Sequence, residues 1–134
     1  MHHQCMDSKP TAKTGFARIW AAFLYSLNGL RFALRNETAF RQELFIITVL
    51  LIVLPFLPLS FAWKGLLFFT SILVLIVELL NSAIESIVDM ASPQYHILAK
   101  QAKDLGSAAV LLSITLSIIL WSCAIITIFL YALQ

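Results

Sequence analysis

Three stretches of the chain, residues 44–59, 63–88 and 107–133, stay apolar over lengths that match the hydrocarbon core of a bilayer. A helix needs about 20 mainly apolar residues to cross that core. The first stretch, LFIITVLLIVLPFLPL, holds no charge, and Pro55 and Pro58 stop or bend it near its end. Residues 40–43 extend it at its start. Of the 134 residues, 60% are hydrophobic and 12% charged, about half the charged share of a soluble domain. The chain therefore reads as an all-α membrane protein with a single domain over residues 14–134, its spans expected at about 40–59, 63–90 and 105–133. So short a chain has little material to wall off a site alone, which favours an oligomer.

The remaining charges give orientation. Lys9, Lys13, Arg18, Arg31, Arg35 and Arg41 precede the first span, Lys100 and Lys103 lie between the second and third, and nothing after Gly106 is charged. The link between the first two spans carries only Lys64. Cationic residues collect on the cytoplasmic side, so the N-terminus and the second link are expected there, and the C-terminus outside. Residues 1–13 are polar, lack the apolar core of a signal peptide and are expected to be disordered. Residues 14–35 repeat Phe16, Ile19, Trp20, Phe23, Leu24, Leu27, Leu30 and Leu34 at helical spacing between arginines. That predicts an amphipathic helix in the membrane interface, with Asn28–Gly29 as a candidate break. A soluble helix packed on something else is the competing explanation.

The second span carries polar residues that lipid disfavours. In VELLNSAIESIVDM, Glu78, Asn81, Ser82, Glu85 and Asp89 fall within a sector of roughly 100° on a helix. An acidic group at mid-bilayer costs about 3 kcal/mol on insertion scales, so such residues normally face a polar cavity. Two carboxylates on one stripe point to a divalent cation, a proton relay or a general base. Interhelical hydrogen bonding is the other explanation, chiefly for Asn81 and Ser82.

Two further clusters flank the spans. RNETAFRQE places Glu37 at the expected membrane boundary, near the depth of Glu85, although Glu37 and Arg41, four apart, also suit a surface ion pair. ASPQYHILAKQAKDLGSA brings His96, Lys100, Lys103 and Asp104 to the second link, where lysines beside carboxylate-held Mg²⁺ would suit polyphosphate. Equally, it reads as an ordinary solvated loop. The chain has no GxxxxGK[ST] and no GxGxxG, so any use of ATP needs another framework. Cys5 and Cys123 sit in unlike environments and suggest no disulfide, and the His2–His3 pair suggests no site.

TGFARIWAAFLYSLNGLR, NETAFRQE, VELLNSAIESIVD and YHILAKQAKDLGSAAVL together cover about half the chain. In these blocks the chain resembles the prokaryotic diacylglycerol kinase family of small membrane enzymes. The resemblance implies a surface helix followed by three transmembrane helices, a homotrimer with sites shared between neighbours, and a multi-pass place in the bacterial inner membrane. It implies phosphorylation of diacylglycerol to phosphatidic acid by ATP with Mg²⁺, at the cytoplasmic face, and no nucleic-acid partner. By position, Glu78 matches the general base, and Glu37 and Glu85 the carboxylates that hold the metal on ATP. Arg18, Tyr25, Gln94, Tyr95, His96, Lys103 and Asp104 match positions around the nucleotide. Arg41, Gln42, Glu43 and Ser107 match positions along the lipid pocket, which Arg18 and Glu78 also adjoin, and Asn81 and Asp89 match supporting residues.

The chain departs from the family at a few positions. Leu27 and Asn28 stand where Gram-negative members often carry an aromatic and a lysine, and Ala21 where some carry a lysine. The Asn28–Gly29 pair is similar to the Gram-positive branch, which phosphorylates undecaprenol; that is the alternative substrate. FRQE is similar to the diacylglycerol branch. A small proton-coupled exporter would explain Glu78 but not Asp89, Lys103 and Asp104, and an assembly subunit would use the stripe only for packing.

Overall fold

The computed structural model describes residues 15–133, so the expectations for residues 1–13, including His2, His3 and Cys5, lie outside the described residues. Four helices and no strand occur among the described residues: α1 (Phe16–Asn36), α2 (Thr38–Val53), α3 (Phe61–Ala91) and α4 (Ile97–Ala132). The chain divides into two units after Phe32.

The first unit holds most of α1. Gly15 opens it with φ 63°, a conformation that costs glycine little, and its carbonyl accepts from the Arg18 amide at 3.1 Å. Trp20 and Phe23 stack at a tilt, ring centres 5.7 Å apart. The helix runs through Asn28–Gly29 without a break. A glycine inside a helix costs about 1 kcal/mol relative to alanine, too little to interrupt a run of good helix formers on both sides.

In the second unit, α2, α3 and α4 each continue long enough in apolar residues to cross a membrane, over Thr38–Phe56, Phe61–Ala91 and Ile97–Ala132. Pro55 lacks an amide hydrogen, so α2 closes in a single 3₁₀ turn, Leu54–Phe56. Lys64 reaches back from α3 and donates to the Pro55 carbonyl at 2.7 Å, satisfying an acceptor that the proline turn frees. Ser60 caps α3, its hydroxyl accepting from the Trp63 amide at 3.4 Å.

α3 packs against both α2 and α4. One apolar cluster joins Ala33, Phe40, Ile47, Val74 and Leu75; a second joins Leu54, Leu67, Trp121 and Ala124. Between them Ser71, fully buried, accepts from the Trp121 indole at 3.2 Å and donates to the Leu67 carbonyl at 2.8 Å. Thr70 likewise donates to carbonyls of its own helix. These buried hydroxyls are tolerated because the helix backbone or a neighbouring helix meets them.

α4 begins at Ile97, well ahead of the 105 expected from hydropathy. Its first turns, ILAKQAKDL, are polar but made of good helix formers. His96 caps them by accepting from the Leu98 amide on Nδ1 at 3.2 Å. The link between α3 and α4 thus shrinks to residues 92–96.

Candidate active site

The acidic stripe of α3 is not uniformly exposed. Glu78 is 5% exposed and Asn81 9%, Glu85 is half-buried, and Asp89 near the helix end is open to solvent. Glu78 is therefore the buried end of a line of polar groups rising toward the α3–α4 link.

Glu78 also feels the charge of other carboxylates. It lies within electrostatic reach of Glu85, two turns on, and of Glu37 and Glu43 from the start of α2. The break between α1 and α2 aims Glu37. That residue adopts an extended backbone as the N-cap of α2, and its side chain makes no capping bond. Arg41 does not pair with it. Its guanidinium donates instead to the carbonyls of Leu34 and Arg35, at 3.4 and 3.0 Å, and to the Thr38 hydroxyl at 3.0 Å. Arg41 thus ties off the end of α1 and leaves the Glu37 carboxylate free for other partners.

Glu43 joins this group one and a half turns along α2. Its Oε2 is buried with no hydrogen-bond partner. Glu43 also stands at one end of an apolar cavity of about 300 Å³, lined by Ile47, Leu50, Val74, Ile118 and Trp121 among others. An unpaired carboxylate oxygen at the head of an apolar slot suits a ligand with a polar head and an apolar body. Sequence reasoning set Glu43 beside a lipid but missed its coupling to Glu78, because residues on different helices have no fixed spacing.

Asn81 and Glu85 are linked directly. The Asn81 amide donates to Glu85 Oε1 at 3.3 Å. On its other side the Asn81 oxygen is buried without a partner and pressed against Gly106 of α4. Gly106 received no role from the sequence; the GSA run of small residues at the start of the third span was the available signal.

A second concavity, about 420 Å³, opens at the link. Asp89, Ser92, Gln94, Tyr95, His96, Lys100, Lys103 and Asp104 line it. Lys103 bridges to Asp89 across α3 and α4 at 2.6 Å, and Lys100 to Asp104 along α4 at 2.9 Å. Ser92, which no sequence motif singled out, fastens the link by donating to the Gln94 carbonyl at 3.0 Å. Gln94, Tyr95, His96, Lys103 and Asp104 are thus gathered in one place. Ser107 is exposed on α4 and Gln42 is exposed on α2, while Arg18 and Tyr25 belong to the first unit and are exposed there.

Comparison with known proteins adds a lineage to this geometry. The family described as prokaryotic diacylglycerol kinase matches residues 24–125. The chain is similar to the diacylglycerol kinase of Escherichia coli K12, 46% identical over 108 residues, covering 81% of this chain and 88% of that protein. It is similar to the Pseudomonas aeruginosa diacylglycerol kinase at 44% over 110 residues, 82% of this chain and 89% of that one. The Helicobacter pylori diacylglycerol kinase is 37% identical over 121 residues, 90% of this chain and 94% of that one.

Proposed function

This chain belongs to the prokaryotic diacylglycerol kinase family, and we infer that it is an ATP-dependent diacylglycerol kinase of a bacterial membrane whose general base is Glu78. The observation that carries the reading is the burial of Glu78, within electrostatic reach of Glu37, Glu43 and Glu85, on a helix that is otherwise apolar enough to cross a membrane. Clustered like charges are unfavourable without a countercharge, so the arrangement calls for a cation and a proton to be handled there.

Among the described residues no three His, Cys, Asp or Glu side chains converge as a resident metal cage would require. Magnesium needs only one or two carboxylates when phosphate oxygens and waters fill its remaining positions. Glu37 and Glu85 therefore fit a Mg²⁺ that arrives with ATP. When bound, the ion neutralises charge on the β- and γ-phosphates.

In the reaction, the primary hydroxyl of diacylglycerol, arriving laterally from the bilayer, loses its proton to Glu78. Its oxygen attacks the γ-phosphorus in line, the bond from that phosphorus to the bridging oxygen breaks, and ADP leaves with the electron pair. Glu43, at the head of the apolar slot, meets the lipid's polar end. Lys103 exchanges Asp89 for phosphate oxygens, and the side chains of the 92–96 link surround the nucleotide. Positioning and fixed charge supply most of the acceleration, as is general for phosphoryl transfer. A homotrimer in the inner membrane, with the N-terminus cytoplasmic and Arg41, Gln42 and Ser107 completing the pockets, extends the same reading.

The test is to incubate detergent-solubilised protein with labelled ATP, Mg²⁺ and either diacylglycerol or undecaprenol. Labelled phosphatidic acid is expected. Labelled polyprenyl phosphate alone would replace the substrate, and no labelled lipid would overturn the kinase reading.

A further inference from the structure

We propose that Gly106 is a positioning residue for the metal-holding carboxylate Glu85, acting through Asn81. The proposal rests on the reading of Glu85 as a magnesium ligand.

Asn81 faces two ways. Its amide hydrogen goes to Glu85 Oε1 at 3.3 Å. Its oxygen, in a side chain nine-tenths buried, has no hydrogen-bond partner and rests where a Cβ on Gly106 would be. The opposite orientation would turn an amide oxygen toward a carboxylate, so chemistry fixes which end points where. A buried acceptor without a donor is costly, and the space above Gly106 admits the carboxamide in a pose that also reaches Glu85. The absence of a side chain at residue 106 is therefore part of how Glu85 is held.

An added methyl at 106 would collide with the Asn81 oxygen, yet it would lie 3.4 Å from Asn81 Cγ and 3.9 Å from Asn81 Cα. The backbones of α3 and α4 are thus far enough apart to accept it. What must move is the end of a rotatable side chain, and alanine is the better helix former. Gly106→Ala should fold, and the hold on Glu85 should be what it loses.

Gly106→Ala is expected to raise the half-saturating Mg²⁺ concentration for turnover at least fivefold, with the KM for diacylglycerol unchanged. The same factor should appear without catalysis, in Mn²⁺ binding followed by electron paramagnetic resonance with a non-hydrolysable ATP analogue. Asn81→Ala should do the same, and Gly106→Ala with Asn81→Ala should match Asn81→Ala alone, because the methyl then fills vacated space. That double variant carries the comparison if the single one inserts poorly. Metal binding of Gly106→Ala within twofold of the parent, or effects that multiply in the double variant, would overturn the proposal. Glu85→Gln separates the two levels: if it weakens Mn²⁺ binding and Gly106→Ala does not, only the positioning role fails. If Glu85→Gln leaves binding unchanged, the metal reading fails and this inference with it.

Discussion

A carboxylate inside a membrane helix raises the energy of insertion by about 3 kcal/mol, so Glu78 is retained against a standing cost. Glu78→Gln keeps shape and hydrogen-bonding reach while removing both charge and basicity. Turnover should fall by at least a hundredfold, in line with general-base contributions of about 10²–10⁴. Binding of an ATP analogue should change by less than twofold, and thermal stability in detergent should hold or rise. Turnover within threefold of the parent would remove Glu78 as the base. Lys103 invites a different experiment. Its pairing with Asp89 is largely solvent-exposed, and such pairs contribute at most about 1 kcal/mol, so Lys103 exchanges partners readily. Lys103→Met should raise the KM for ATP roughly tenfold, equivalent to about 1.4 kcal/mol, with little change in melting temperature or in the KM for lipid. The alternation of α3 makes its polar stripe legible in sequence, since five residues on one face follow from helical period alone. Which of them is buried is not legible. Glu78 and Asp89 share a face, and only the packing of α2 and α4 makes one an interior group and the other a surface one.

The helices themselves are mostly written in composition, with their ends decided by chemistry that hydropathy ignores. Pro55 stops α2 through its missing amide hydrogen, and that reading transfers directly from sequence to structure. The start of α4 does not transfer, because hydropathy marks where residues become apolar, whereas a helix begins where a cap and good helix formers allow, here at His96 and Ile97. The contact between α3 and α4 was likewise hidden, since nothing in sequence pairs Ser71 with Trp121. Trp121→Phe deletes the indole donor and leaves Ser71 bonded only within its own helix. Interhelical hydrogen bonds in membranes contribute about 0.6 kcal/mol on average and up to about 1.7. The variant should therefore lose about 1 kcal/mol in a detergent unfolding titration, with the KM for ATP unchanged. Instead, a loss above about 3 kcal/mol would mean that the ring's packing, rather than its hydrogen bond, fastens the two helices.

For the molecule as a whole, three crossings and a one-sided distribution of cations determine which face the site occupies. Lys103, Asp89 and the 92–96 link surround the nucleotide in the proposed reaction, and ATP is met only on the cytoplasmic side. Five of the nine cationic residues precede the first span, Arg41 lies on its first turn and two lie on the first turns of α4, while Lys64 alone lies at the opposite end, on the first turn of α3. Lys64 is also held by the Pro55 carbonyl, so its charge is used locally. Short loops rich in lysine and arginine resist translocation, so residues 92–96 are predicted to lie inside and residues 57–60 outside. Alkaline phosphatase, active only outside the cytoplasm, should therefore be active when fused after residue 59 or at the C-terminus, and inactive when fused after residue 95. A fluorescent protein that matures only in the cytoplasm should give the complementary pattern. Phosphatase activity after residue 95 would put the lysine-lined pocket on the side without ATP, and the kinase mechanism could not operate from there.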